Sequence, residues 1–148
     1  DALAWRGVVE EGSLGWALIV LAAPRSNGVG QGAVNSFIGS DGSEGSRKSA
    51  FLVAGLAGLG RLGQSDADGL AGNLGFDLAR QTRWTRAIAR AAEVNNPALV
   101  ALLAGLGMQG ASWAQMTPLH LYHITAALRR VGLEAEARMI AAEAVARG

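Results

Sequence analysis

A chain of 148 residues is the size of one ordinary domain, able to bury about two thirds of the surface its unfolded form exposes. Half of the residues are hydrophobic but only 5% are aromatic, so the core is made of Ala, Leu and Val and calls for the close backbone approach of packed helices. Net charge is +1, which removes a whole-molecule electrostatic case for nucleic acid or an anionic membrane, and the lack of cysteine excludes disulfides, thiol nucleophiles and thiolate metal sites.

Lys48 is the single lysine among 13 basic residues, and with the Ala, Gly and Leu bias this matches coding from a GC-rich, bacterial genome. A soluble protein of the cytoplasm or periplasm is expected, since a chain without cysteine suits both. The opening Asp1-Ala2-Leu3-Ala4-Trp5 has neither Met nor a basic leader, which reads as the C-terminal part of a longer or processed chain. The longest apolar runs, Trp16 to Ala23 and Ala50 to Gly60, fall short of the roughly 20 residues of a membrane span.

In chain order, Leu3 to Ala23 reads as helix broken near Glu11-Gly12-Ser13. Residues 24–46 read as loop-rich, with loops at Pro24 to Gly32 and Gly39 to Ser46, the latter (GSDGSEGS) the best candidate for a flexible segment. Gly28-Val29-Gly30-Gln31-Gly32-Ala33 fits the dinucleotide pattern G-x-G-x-x-A. However, Pro24-Arg25-Ser26-Asn27 separates it from the preceding apolar run, and no second strand with a terminal acid follows, so it reads as loop. Asp41-Gly42-Ser43-Glu44 and Asp66-Ala67-Asp68-Gly69 lack the twelve-residue ligand pattern of a calcium loop and read as a loop and a helix start.

Leu52 to Gly63 (LVAGLAGLGRLG) echoes Leu99 to Gly110 (LVALLAGLGMQG) in nine of twelve positions at an offset of 47 residues, the spacing of two-helix repeat units. Ser65-Asp66-Ala67-Asp68 starts a helix leading to Leu70, Leu74 and Leu78, with acids where the helix dipole favours them. From Thr82 to Val94 the spacing predicts a helix with Trp84, Ala87, Ile88 and Ala91 on one face. Arg80, Arg83, Arg86 and Arg90 occupy one broad face of this helix with Trp84 near its edge, and Glu93 is the helix's only acid. Guanidinium groups so placed suit carboxylates or phosphates. After the Asn95-Asn96 turn, Asn96-Pro97 opens a helix carrying Leu99, Val100, Leu102, Leu103 and Leu106, closed by Gly107.

The clearest signals lie at Thr117 to Arg147. Thr117-Pro118 is a cap followed by Pro at the first helical position, and Met116 and Leu121 hold the staple positions. Leu121, Ile124, Leu128 and Val131 form one stripe, Gly132 ends the helix, and a second helix follows with Leu133, Ala137, Ile140 and Ala144 inward. Glu134/Arg138 and Glu143/Arg147 are spaced as i, i+4 pairs. His120 and His123, at i, i+3, are close enough to share a metal but lack further ligands in any known spacing. They read as edge residues of a packing helix.

The segment PLHLYHITAALRRVGLEAEARMIAAEAVARG resembles a hairpin of the helical-repeat families of TPR, HEAT or superhelical type, although the TPR signature W-x2-L-G-x2-Y is absent. The resemblance implies a scaffold or partner-binding role and carries over no site residue. The expectation is therefore a single all-α domain, residues 1–148, of antiparallel helical hairpins stacked as a short solenoid or closed into a bundle. It is expected to be non-catalytic, to need no cofactor, and to bind another protein through Arg80, Arg83, Trp84, Arg86 and Arg90. The alternatives are a metal- or ligand-dependent enzyme using His120 and His123, and a membrane-active helical protein.

Overall fold

In a computed structural model that describes residues 7–24, 28–108 and 113–148, the chain forms eight α-helices, with no strand among the described residues. They are α1 (Leu14–Ala22), α2 (Gln31–Ser40), α3 (Arg47–Gly58), α4 (Gln64–Asn73), α5 (Arg83–Glu93), α6 (Pro97–Gly107), α7 (Pro118–Arg130) and α8 (Glu134–Arg147). The all-α class and the antiparallel hairpins are as the sequence implies. The first residues of the expected helix, 3–6, lie outside the described residues. From residue 7 on, regular helix begins only after Ser13, whose Oγ accepts from the Trp16 N–H at 3.2 Å.

The buried centre is α3. Nine of its twelve residues are inaccessible, because α1, α2, α4, α7 and α8 all pack on it. Phe51, Leu52 and Leu56 are fully buried, each worth about 1.5–3 kcal/mol. At the α3–α7 crossing the backbones come so close that a Cβ at Gly58 would lie 1.9 Å from the Thr125 Oγ1 and 2.7 Å from the Tyr122 carbonyl. Only glycine fits there. α1 packs against α8, a contact between distant helices that a one-dimensional stack of repeats does not make. This part of the array closes as a bundle, and the α5–α6 hairpin attaches to it through α7.

The helix ends explain the two hairpins. α5 opens with a reciprocal capping box: the Thr82 Oγ1 accepts from the Thr85 N–H (3.1 Å) while the Thr85 Oγ1 accepts from the Thr82 N–H (2.8 Å). α6 and α7 open on the expected caps, with the Asn96 Oδ1 accepting from the Leu99 N–H (3.0 Å) and the Thr117 Oγ1 from the His120 N–H (3.2 Å). α5 and α7 close alike, with Asn95 (φ 52°) and Gly132 (φ 85°) in the left-handed region. The next N–H reaches back to Ala91 and Leu128, respectively. These matching turns make both hairpins antiparallel.

Three expectations change. Residues 24–46, read as loop-rich, contain α2: Ala33, Val34 and Phe37 are buried and outweigh the poor helix propensity of Gly32, Ser36 and Gly39. The GSDGSEGS segment is tied down rather than loose. The Asp41 carboxylate accepts from the N–H and hydroxyl of Ser43 (2.8 and 2.6 Å) and from those of Ser49 (2.8 and 2.5 Å). The Ser43 Oγ accepts from the Lys48 N–H (3.0 Å), so the loop caps α3 from five and eight residues upstream. Burial pushes the Asp41 carboxyl up, but the Ser43 and Ser49 hydrogen bonds outweigh it and hold the group below its ordinary 3.8.

The third change concerns Glu134 and Arg138, which were expected to pair. Arg138 instead donates to the Ala22 carbonyl (3.0 Å), and the Glu134 carboxylate faces the guanidinium of Arg61 (3.6 Å). Arg61 is buried and donates to the carbonyls of Val20 (2.6 Å), Leu21 (3.1 Å) and Ala23 (2.7 Å). Two arginines from elsewhere in the chain thus satisfy the last four carbonyls of α1 and place positive charge at its negative end. The expected Glu143–Arg147 ion pair is present.

Candidate functional site

The α5–α6 hairpin, the turn before it and the start of α7 carry the arginines, Trp84 and the two histidines that the sequence offers as candidate site residues. Thr85, Ile88, Ala91 and Ala92 bury one side of α5, and at about 100° per residue Arg83, Arg86 and Arg90 point directly away from it. All three are exposed, and no carboxylate pairs with them among the described residues. Arg80 is exposed too, but it precedes the Thr82 cap, so it stands in the turn leading into α5 and extends the row instead of sharing the helix face.

Trp84 does not stand with the arginines. Its Nε1 donates to the Leu103 carbonyl of α6 (2.9 Å), and its ring lies 4.7 Å from the His120 ring and 6.5 Å, edge-on, from that of His123. A Cβ at Gly107 would fall 2.4 Å from the indole Cζ2, so glycine is what lets α6 close over the ring. The indole joins α5, α6 and α7 and is partly buried among them.

His120 and His123 lie within this aromatic cluster. The His120 Nδ1 is hydrogen-bonded to the Thr117 Oγ1 (2.6 Å), and Tyr122 meets His123 edge-on at 5.0 Å. The Nε2 of His123 is buried without a hydrogen-bond partner. Desolvation lowers the proton affinity of both rings, and at His123 the positive charge of a protonated His120 lowers it further. Among the described residues no third His, Cys, Asp or Glu joins the pair to complete a cation's ligand set. A Gly-rich dinucleotide loop is not formed at residues 28–33 either: Gly30 is the N-cap of α2, and no strand leads into it among the described residues.

Sequence reasoning missed the outer face of α6. Val100 and Ala104 are buried, whereas Leu99, Leu102 and Leu106 are exposed by 39%, 69% and 51%. Because Trp84 marks the side on which α5 and α6 meet, helical angles put Leu99, Leu106 and Leu102 on the α5-facing half of the outer surface of α6. The same construction puts Arg83 and Arg90 on the α6-facing half of α5. An apolar row and a cationic row therefore flank one seam. The signal was present in the sequence: α6 carries leucines at more angles than one buried face can use.

A cleft of about 500 Å³ lies elsewhere, between α1, α2 and the start of α3, lined by Leu14, Phe37, Asp41, Glu44 and Lys48. The Asp41 carboxylate there is taken up by the Ser43 and Ser49 bonds that cap α3. No helix is long and apolar enough to cross a membrane among the described residues. Compared with known proteins, the chain matches no family model, no curated protein and no solved structure, so the seam and the histidine cluster stand on their own geometry.

Proposed function

We propose that this chain is a non-catalytic helical scaffold module that holds an acidic partner protein on the outer face of the α5–α6 hairpin. The observation that carries the reading is the row Arg83, Arg86 and Arg90, exposed and unpaired by any carboxylate among the described residues. Arg80 extends the row toward the turn, and Trp84 supports it by fixing α5 to α6 and α7. Guanidinium groups in a rigid row pair with carboxylates with better geometry than a flexible lysine row gives. A bacterial cytoplasm or periplasm belongs to the same reading, on composition. Charge reversal at Arg83 and Arg86 is expected to strip specific partners from a pull-down with the full chain; an unchanged set of partners refutes the surface.

One observation favours a second reading, in which His120 and His123 serve a metal- or ligand-dependent enzyme: the orphaned Nε2 of His123. Metal analysis of protein purified without chelator tests it. Stoichiometric metal lost on His123→Ala supports the second reading, and metal-free protein that keeps its fold and its partners supports the first.

A further inference from the structure

Resting on the reading of the arginine row as a partner surface, we infer that the occupant is an acidic amphipathic helix seated along the outer α5–α6 seam. Its apolar stripe lies on Leu99, Leu102 and Leu106, and its carboxylates lie on Arg83 and Arg90, with Arg86 next to them on the crest of α5.

The two rows have the same spacing. Arg83, Arg86 and Arg90 stand at i, i+3 and i+7, and so do Leu99, Leu102 and Leu106, so each covers two turns of its helix, about 10 Å. A helix laid in the seam meets both rows along equal lengths, with one side apolar and the adjoining side acidic.

The internal echo shows that α6 has the composition of a helix covered on more than one side. The matching residues Leu52 in α3 and Leu59 at its C-cap are 0% and 4% exposed, because helices surround them. In α6 their counterparts Leu99 and Leu106 face outward, and Leu102 replaces the glycine at position 55. The extra leucine enlarges the side that no element among the described residues covers.

Charge selects among occupants. The ionisable groups of the hairpin are all on the α5 side; α6 has none, so cation and hydrocarbon are segregated to opposite flanks of the seam. An amphipathic helix matches that division, whereas a bilayer surface surrounds an inserted apolar row with anionic headgroups on both flanks. A second copy pairing through this face brings Glu93 as its one carboxylate from the hairpin against a row of arginines.

The test uses the full chain and a fluorescein-labelled synthetic peptide of about 15 residues, four helical turns. The peptide is built of Leu, Glu and Ala with Leu at i, i+3 and i+7 and Glu beside them, and binding is read by anisotropy. Saturable binding is expected, with Kd raised at least about tenfold by Leu102→Asp and by Arg83→Glu/Arg86→Glu separately. Both variants are checked by circular dichroism; the replaced side chains are exposed, so the fold is expected to persist. Added salt is expected to weaken binding to the parent chain more than binding to the Arg variant.

A peptide with Ser in place of Leu that binds equally well overturns the amphipathic helix but leaves an acidic partner. Absence of peptide binding, in a chain whose pull-down partners still depend on Arg83 and Arg86, overturns the inference alone. Leu102-dependent binding to phosphatidylglycerol vesicles without peptide binding overturns it in favour of a membrane, and a dimer dispersed by Leu102→Asp overturns it in favour of a second copy.

Discussion

Replacing Gly58 by alanine tests the arrangement on which both candidate surfaces depend, because the α3–α7 crossing fixes the helix that carries His120 and His123 and supports the α5–α6 hairpin. The added methyl would sit 1.9 Å from the Thr125 Oγ1, which is buried and donates to the Leu121 carbonyl at 2.8 Å, and 2.7 Å from the backbone oxygen of Tyr122. Neither neighbour is the free end of a flexible chain, so α7 itself must move. Overpacking of this kind costs about 3 kcal/mol. The helix propensity of alanine returns at most about 1 kcal/mol, leaving a net loss near 2. For a chain of this length that lowers Tm by roughly 4–8 °C.

Gly69→Ala in α4 is the control. Nothing lies within 4 Å of its Cβ position, so only the propensity gain remains and stability rises by up to about 1 kcal/mol. Urea titration at constant m-value measures both variants. Thr125→Ala is expected to restore part of the Gly58→Ala loss, since it removes the nearest atom. A Gly58→Ala protein as stable as the parent, or one shifted in the same direction as Gly69→Ala, refutes the close crossing.

Three further outcomes are expected. Arg61→Met, which strands the carbonyls of Val20, Leu21 and Ala23, costs about 3 kcal/mol in the same titration, and a loss confined to the exposed Glu134 contact, under about 1 kcal/mol, contradicts it. Both histidines bind protons less readily folded than unfolded, so stability is full above 6.5, declines as pH falls through 6.5, and levels off below the depressed folded values. Thermal melts of His120→Gln/His123→Gln should show that limb flattened; a limb unchanged in the variant assigns it to other groups. Asp41, whose folded proton affinity is lowered, contributes stability above 3.8 that is lost as pH falls below it. Asp41→Ala removes about 1–2 kcal/mol of capping at neutral pH.

The hairpins were legible because their signals are local: Thr117-Pro118 and Asn96-Pro97 sit within one turn of the helices they start, and Asn95 and Gly132 sit at their ends. The face of α5 was legible for the same reason, since the angles of Arg83, Arg86 and Arg90 follow from sequence spacing alone. What sequence could not give is where a neighbouring element stands. α2 exists because Val34 and Phe37 find α3, whereas local propensity argues for loop. Trp84 faces α6 and α7 because Gly107 makes room for it 23 positions on. The work of Arg61 at carbonyls about 40 residues upstream leaves no mark in its own surroundings.

The arginines that hold the end of α1 also order the events of folding. Arg61 must wait for a helix some 40 residues earlier, and Arg138 binds the Ala22 carbonyl across 116 positions, so the seating of α1 has a far higher contact order than the two hairpins. On a growing chain α1 emerges long before α8 exists to receive it. The expected order is that the hairpins form before Arg138 closes its half of the clasp. Substitutions at the α1–α8 contact are therefore expected to quicken unfolding while leaving the folding rate nearly unchanged.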